Sequence, residues 1–164
     1  IWYNSKKHHK WREFYEQVQE KANIDIYARM AYMDTMTGLG NRTAFLEENK
    51  SNAIFPGMIS YIMMDANNLK TINDTLGHNK GDELIITIAK CMRKAVGHNG
   101  QCYRIGGDEF VIILKNKTVA ETEEIINKVR CEIEFADKQS DITISVAIGY
   151  VWTDTEQKNL EDLM

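Results

Sequence analysis

The sequence predicts an α/β (α+β) fold, a layer of helices and strands with an antiparallel hairpin at its centre, preceded by an N-terminal helical stalk. Three observations predict it. Short apolar runs rich in β-branched residues alternate with segments whose apolar residues recur every three to four positions, which is strand alternating with helix. Two of the runs flank Gly106-Gly107-Asp108-Glu109, a turn whose residues accept positive φ. The first thirty residues, in contrast, contain neither Gly nor Pro and are rich in Lys, Glu and Gln.

In that first segment Trp11, Tyr15, Val18 and Ala22 fall at alternating steps of four and three residues. The stripe is narrow, as in a coiled-coil seam, and it falters at Asp25 and Arg29. Residues 1–32 therefore read either as a stalk that pairs with a copy of itself or as a solvated helix folded back on its own domain. At the very start, Ile1-Trp2-Tyr3 precede Lys6, Lys7, His8, His9, Lys10 and Arg12. That order fits an aromatic belt beside a positive-inside cluster, with a membrane helix before Ile1, and equally fits a charged, solvated helix end.

From residue 33 the pattern is globular. Thr37-Gly38-Leu39-Gly40-Asn41 is a turn, and residues 58–64 form an almost continuous apolar run, a buried strand ending at Asp65. Residues 69–76 make a short helix stopped by Gly77, after which Asp82 stands where an N-cap belongs. Ile85, Ile88, Met92 and Val96 line one side of the next helix, which ends at Gly97. Residues 103–105 and 110–114 are the hairpin strands, and the second is apolar on both faces, so helices must cover it. A helix through Thr122, Ile126, Val129 and Ile133 follows, and residues 142–152 close the chain as a weakly alternating strand.

Composition narrows the function. With 164 residues, 43% of them hydrophobic and 27% charged, the chain is of ordinary size and make-up for one globular domain with a real core. A net charge of −4 creates no global field for nucleic acid, so a phosphate ligand must be held by a local site, which favours a small nucleotide over a polymer. Cys91, Cys102 and Cys131 are an odd count without CxxC spacing and read as apolar fillers in a reducing cytosol. No apolar run approaches the roughly 20 residues of a membrane helix.

The chemistry-bearing residues are acidic. Asp65 ends one buried strand, and Asp108 and Glu109 sit at the tip of the hairpin. If those strands are neighbours, the acids converge, and converging carboxylates without a Lys or Arg partner call for a cation. Oxygen ligands without His or Cys point to Mg²⁺ or Mn²⁺ rather than zinc. Between these acids, Asp65-Ala66-Asn67-Asn68-Leu69-Lys70 is a strand-to-helix turn with exposed amides that can cradle phosphate, Lys70 adding a point charge. Asn73 and Asp82 carry groups that match the edge of guanine, although on spacing alone a helix-terminal Asn and an N-cap Asp are the preferred explanations.

Gly106-Gly107-Asp108-Glu109-Phe110 spell the GGDEF motif, with Arg104-Ile105 before it, and Asp34-Thr35-Met36-Thr37-Gly38-Leu39-Gly40-Asn41-Arg42 resembles that family's opening motif. The segment from Asp65 to Glu83 is similar to its metal and guanine segment through Lys70, Ile72-Asn73-Asp74, Gly77-His78 and Gly81-Asp82-Glu83. The resemblance covers about residues 34–151. It implies a diguanylate cyclase, a nucleotidyltransferase that condenses two GTP molecules into cyclic di-GMP, on a central, mostly antiparallel sheet similar to the palm of adenylyl cyclases and polymerases. It also implies that Asp65 and Asp108 bind the metals with help from the Ala66 carbonyl, and that Glu109 is a metal ligand or helps deprotonate the attacking 3′-hydroxyl. Gly106 and Gly107 would leave room for the α-phosphate, Asn73 and Asp82 would read guanine, and Lys70 with the amides of Asn67, Asn68 and Leu69 would hold the triphosphate. Two domains, each with one GTP, must face each other as a homodimer, which gives the stalk a role in setting whether two copies can meet, and an upstream sensor domain is expected before it. The implied location is cytoplasmic, tethered to the inner face of the membrane if a membrane helix precedes Ile1.

The chain departs from the family pattern in three places. It stops at Glu161-Asp162-Leu163-Met164, where the family continues into a helix with phosphate-contacting Lys and Arg, so 33–164 reads as C-terminally incomplete and weakly active. Ala147 stands where the last strand often has Gly. The family's inhibitory product site, Arg-x-x-Asp, is replaced by Gly97-His98-Asn99-Gly100. The alternative reading is a catalytically silent domain that binds GTP and regulates a partner.

Overall fold

The computed structural model describes residues 17–154, apart from Ala22 and Ile24. Residues up to Tyr32 and from Met33 onward form two units. In the first, the described residues of 17–32 are helical (α1) and Val18 is exposed. Trp11, Tyr15 and Ala22 of the seam, the aromatic and basic cluster at the start, and residues 161–164 lie outside the described residues.

The second unit contains α2 (Arg42–Asn52), β1 (Ile59–Ala66), α3 (Leu69–Leu76), α4 (His78–Val96), β2 (Gly100–Arg104), β3 (Glu109–Lys115), α5 (Val119–Asp137) and β4 (Val146–Thr153). The strands form one antiparallel sheet in the order β2-β3-β1-β4. The expected sheet with flanking helices is therefore present, but the hairpin is not at its centre. Within the described sheet β3 is internal and β2 is an edge, because β1 pairs with the free side of β3.

Strand alternation divides the core between two faces. Ile62, Met64, Phe110, Ile112 and Leu114 pack with Leu84, Ile85, Ile88 and Met92 of α4 and with Ile126, Val129 and Ile133 of α5. On the other face Ile59, Tyr61, Val111 and Ile113 pack with Phe45 of α2 and with Tyr103. β3 is thus covered on both sides, as its doubly apolar pattern requires.

α2 was not expected from the sequence. It starts because the Asn41 side chain accepts the Ala44 N–H at 3.0 Å, and its buried positions are Phe45, Asn49 and Asn52. Two of its three inward residues are polar, so the usual apolar stripe is missing. They are accommodated by Tyr61, whose hydroxyl donates to Asn49 at 2.8 Å and accepts from Asn52 at 3.0 Å.

Two boundaries also differ from expectation. α4 begins at His78 directly after Gly77, whose φ of +88° separates it from α3, so Asp82 lies inside the helix and is no N-cap. β4 begins at Val146 rather than Ile142. Ile142 and Ile144 are buried, but their N–H groups donate to the Ser140 hydroxyl and the Asp137 carboxylate, which takes them off the ladder. α5 opens with a reciprocal capping box between Thr118 and Glu121. No helix among the described residues is long and apolar enough to cross a membrane.

Candidate active site

The antiparallel register places Asp65 of β1 opposite Glu109 of β3 and, on its other side, opposite Ala147 of β4. Alternation puts these three on the face that α2 covers only at the far end, where Ile59 and Tyr61 lie. The near end is open. A cavity of about 350 Å³ there is lined by Met63, Asp65, Glu109, Ala147 and Gly149, among others. Asp65 and Glu109 are exposed, and neither they nor Asp108 has an ion-pair partner among the described residues.

The turn that carries Asp108 is fixed from two sides. The Asp108 carbonyl accepts the Ala66 N–H at 2.9 Å, which ties the turn to the end of β1. The guanidinium of Arg104 donates to the Gly107 carbonyl at 3.2 and 2.7 Å and reaches the Asp34 carboxylate at 3.4 Å. Asp34 in turn accepts the Thr37 N–H and hydroxyl at 2.9 and 2.6 Å. Burial acts to raise the pKa of Asp34, but the Thr37 hydrogen bonds and the charge of Arg104 outweigh it, and the carboxyl is held below its ordinary value. The basic residue nearest the motif is therefore engaged with a carbonyl and with Asp34, leaving the motif's own carboxylates free. Sequence reasoning noted Arg104 without giving it a task; the signal was a cation closing a strand two residues before a Gly-Gly turn.

Two site expectations need correction. The N–H of Asn67 is not available to a phosphate, because it donates to the Ser145 carbonyl at 3.0 Å while the Asn67 amide nitrogen donates to the Ser145 hydroxyl at 3.1 Å. Asn68, at φ +63°, leads into α3 without a side-chain cap, so of the three amides expected to meet phosphate those of Asn68 and Leu69 remain candidates, with Lys70 exposed beside them. Nor is the space beside Gly106 empty: a Cβ there would collide with the Glu109 carboxylate. Nothing lies near the corresponding position of Gly107.

Asn73 meets the residue preceding Asp82 at the α3–α4 junction. Gly81 is buried, and a Cβ on it would strike the Asn73 carboxamide, so Asn73 lies directly over the residue before Asp82. Asp82 itself is exposed on the first turns of α4. Residues 97–100 run from the end of α4 into the first residue of β2, and the Asn99 side chain donates to the Val96 carbonyl at 3.1 Å.

No three acidic, histidine or cysteine side chains gather closely enough for a closed metal cluster among the described residues. Magnesium, which keeps several waters and substrate phosphates as ligands, does not need one. Two exposed, unpaired carboxylates in register, with a third on the adjoining turn, are a donor set that fits such an open site.

The chain resembles known proteins in sequence and in fold. The signaling protein YkoW of Bacillus subtilis is 36% identical over 140 residues, covering 80% of this chain and 17% of that protein. Diguanylate cyclase DgcN of Escherichia coli is 32% identical over 144 residues, 84% of this chain and 35% of that protein. The chain thus spans about a third or less of the length of these relatives. In fold it is similar to the coiled coil and GGDEF domain of DgcB from Caulobacter crescentus in complex with c-di-GMP, with a TM-score of 0.82 at 21% identity, covering 94% of this chain and 86% of that one. The family model described as diguanylate cyclase, GGDEF domain, matches residues 31–164, and the chain belongs to that family.

Proposed function

We propose that this domain is a diguanylate cyclase, which binds GTP on the open end of the sheet and, facing a second copy, joins two GTP molecules into cyclic di-GMP with release of two pyrophosphates. One observation carries the reading: Asp65 and Glu109 stand opposite each other in the register at the cavity, with no Lys or Arg paired to either among the described residues. Like charges opposed across strands are destabilising and persist where a ligand uses them.

Asp65 and Glu109 would hold Mg²⁺ or Mn²⁺, with Asp108 and the Ala66 carbonyl within the same turn-and-strand end. An ion held there would supply Lewis-acid chemistry, lowering the pKa of a 3′-hydroxyl and taking up charge on the leaving pyrophosphate. The protein's own groups do the rest. The N–H groups of Asn68 and Leu69, at the positive end of α3, and the ammonium of Lys70 bind the triphosphate. Asn73 and Asp82 read guanine, the Asp82 carboxylate accepting from N1–H and the exocyclic amine. Gly107 leaves the backbone open to the α-phosphate. The 3′-oxygen of one GTP forms a bond to the α-phosphorus of the other as the bond to pyrophosphate breaks, and the hydroxyl proton leaves to a carboxylate such as that of Glu109. Each domain presents one GTP, so the second bond of the ring needs the partner copy's nucleotide. The name of the relative DgcN and the intact Gly106–Phe110 motif support synthesis over the silent, GTP-binding alternative.

The test is turnover of GTP with Mg²⁺ in the parent chain and in Asp65→Asn and Glu109→Gln variants. Both residues are exposed, so melting temperatures should stay within a few degrees of the parent. Turnover should fall by about 10²-fold or more in each, as for loss of a group acting on developing charge, and a chelator should do the same. Unchanged turnover in either variant would remove these carboxylates from the mechanism.

A further inference from the structure

The connection between α5 and β4, residues 138–145, touches both halves of the candidate nucleotide cradle. At its end, Ser145 meets Asn67 twice: its carbonyl accepts the Asn67 N–H at 3.0 Å, and its hydroxyl accepts the Asn67 side-chain amide at 3.1 Å. Both residues are half-buried. Asn67 is the last residue before the left-handed Asn68, and the N–H groups next in line are those offered to phosphate. Near the start of the connection, Asp141 accepts two hydrogen bonds from Lys80 at 2.8 and 2.9 Å; Lys80 also pairs with Glu83, so the two acids flank the helical turn that carries Asp82. The connection is itself braced where the Ile144 N–H donates to Asp137 at 2.7 Å.

These contacts differ in weight. The Lys80–Asp141 pair is largely exposed, and such pairs contribute little. The Ser145 contact is sheltered and two-pronged, and one of its prongs is a side-chain hydroxyl that the β ladder does not require. We propose that Ser145 is a positioning residue: by gripping Asn67 through backbone and side chain, it fixes the angle at which the Asn68 and Leu69 amides meet the phosphates of the bound nucleotide. This rests on the proposed use of that turn for GTP. Ser145 touches no substrate atom; it acts through Asn67. A turn left with only the backbone bond can rock about it, so amide donors aimed at phosphate oxygens are held less well, and the cost appears in nucleotide affinity rather than in folding.

The experiment measures binding of the non-cleavable α,β-methylene analogue of GTP, with Mg²⁺, to the parent, Ser145→Ala and Ser145→Thr chains by calorimetry, with melting temperatures alongside. The loss of one neutral hydrogen bond that orients two others should weaken binding by about 5- to 10-fold in Ser145→Ala. Ser145→Thr, which keeps the hydroxyl, should stay within about two-fold of the parent, and all three should melt within a few degrees of one another. Parent-like binding by Ser145→Ala, or an equal loss in Ser145→Thr, overturns the positioning role. So does a large drop in melting temperature that accounts for the weakened binding. Failure of the parent itself to bind the analogue is a different result, and it overturns the assignment of the turn to GTP.

Discussion

At the residue scale the site depends on what small residues permit. Gly81 has no room for a side chain because the Asn73 carboxamide occupies the space, and that contact sets Asn73 beside the residue preceding Asp82. The sequence suggested both as guanine readers only through family likeness, since spacing alone made Asp82 an N-cap. The structure gives a physical reason for keeping them together, which a linear sequence cannot display because the contact crosses the α3–α4 break. If Asp82 accepts both donors of guanine, adenine leaves it unpaired, a loss on the order of 1–3 kcal/mol. GTP should therefore bind roughly 5- to 150-fold more tightly than ATP. The same preference should shrink in Gly81→Ala, where Asn73 must move, and in Asp82→Ala. Competition titrations with the two nucleotides measure it; equal affinities in the parent contradict the assignment.

At the element scale the turn of residues 34–39, the last residue of β2 and the motif hairpin act as one braced unit. Asp34 is organised by Thr37 and reaches Arg104, which holds the Gly107 carbonyl. The pH dependence follows from the sign of the Asp34 shift. Its folded pKa is depressed, so its contribution to stability is complete above the unfolded value of about 3.9 and is lost as pH falls through the lower, folded value. The Asp34→Asn variant should be destabilised at pH 7, and its deficit relative to the parent should shrink only below about pH 4. Urea midpoints at several pH values report this, and a deficit that is the same at pH 3 as at pH 7 would remove the carboxylate from the account.

The α4–β2 connection leads to a second expectation at this scale. Residues 97–100 offer no guanidinium, and the neighbouring cations are already engaged: Arg93 donates to the Thr37 carbonyl at 2.6 Å and Lys94 pairs with Glu132 at 2.7 Å. A bidentate, charge-assisted grip on a cyclic dinucleotide is therefore missing here. Calorimetry should show no submicromolar binding of cyclic di-GMP that maps to this loop, and binding of that strength there would contradict the reading.

The elements that were hardest to read from sequence share a cause. α2 buries two asparagines instead of an apolar stripe, and their hydrogen bonds to Tyr61 become visible only when β1 is in place. Residues 142 and 144 have a strand's alternation but are diverted by side-chain bonds from Ser140 and Asp137. β1, β3, α4 and α5 were legible because their apolar periodicity matches the faces they bury. The acids at the site were legible only conditionally: Asp at the end of one strand and Glu at the start of another converge if the two strands are neighbours, and the β1–β3 register supplies that condition. The braces around them, Arg104 and Ser145, were not, since each acts across a register that only the folded sheet defines.

At the scale of the whole molecule the proposed reaction needs more than one copy of the chain. In the proposed function one open sheet end, one cradle and one pair of carboxylates would hold a single GTP, so ring closure would need two copies to meet, and the rate per domain should rise with protein concentration until the pairs are formed. The central claim is the identity of the product, and the direct measurement is chromatography of radiolabelled GTP incubated with the chain and Mg²⁺ over a range of protein concentrations. The account predicts cyclic di-GMP with two pyrophosphates for each molecule formed, appearing faster per domain as concentration rises. GTP that is bound by the chain yet recovered unchanged at every concentration would contradict it.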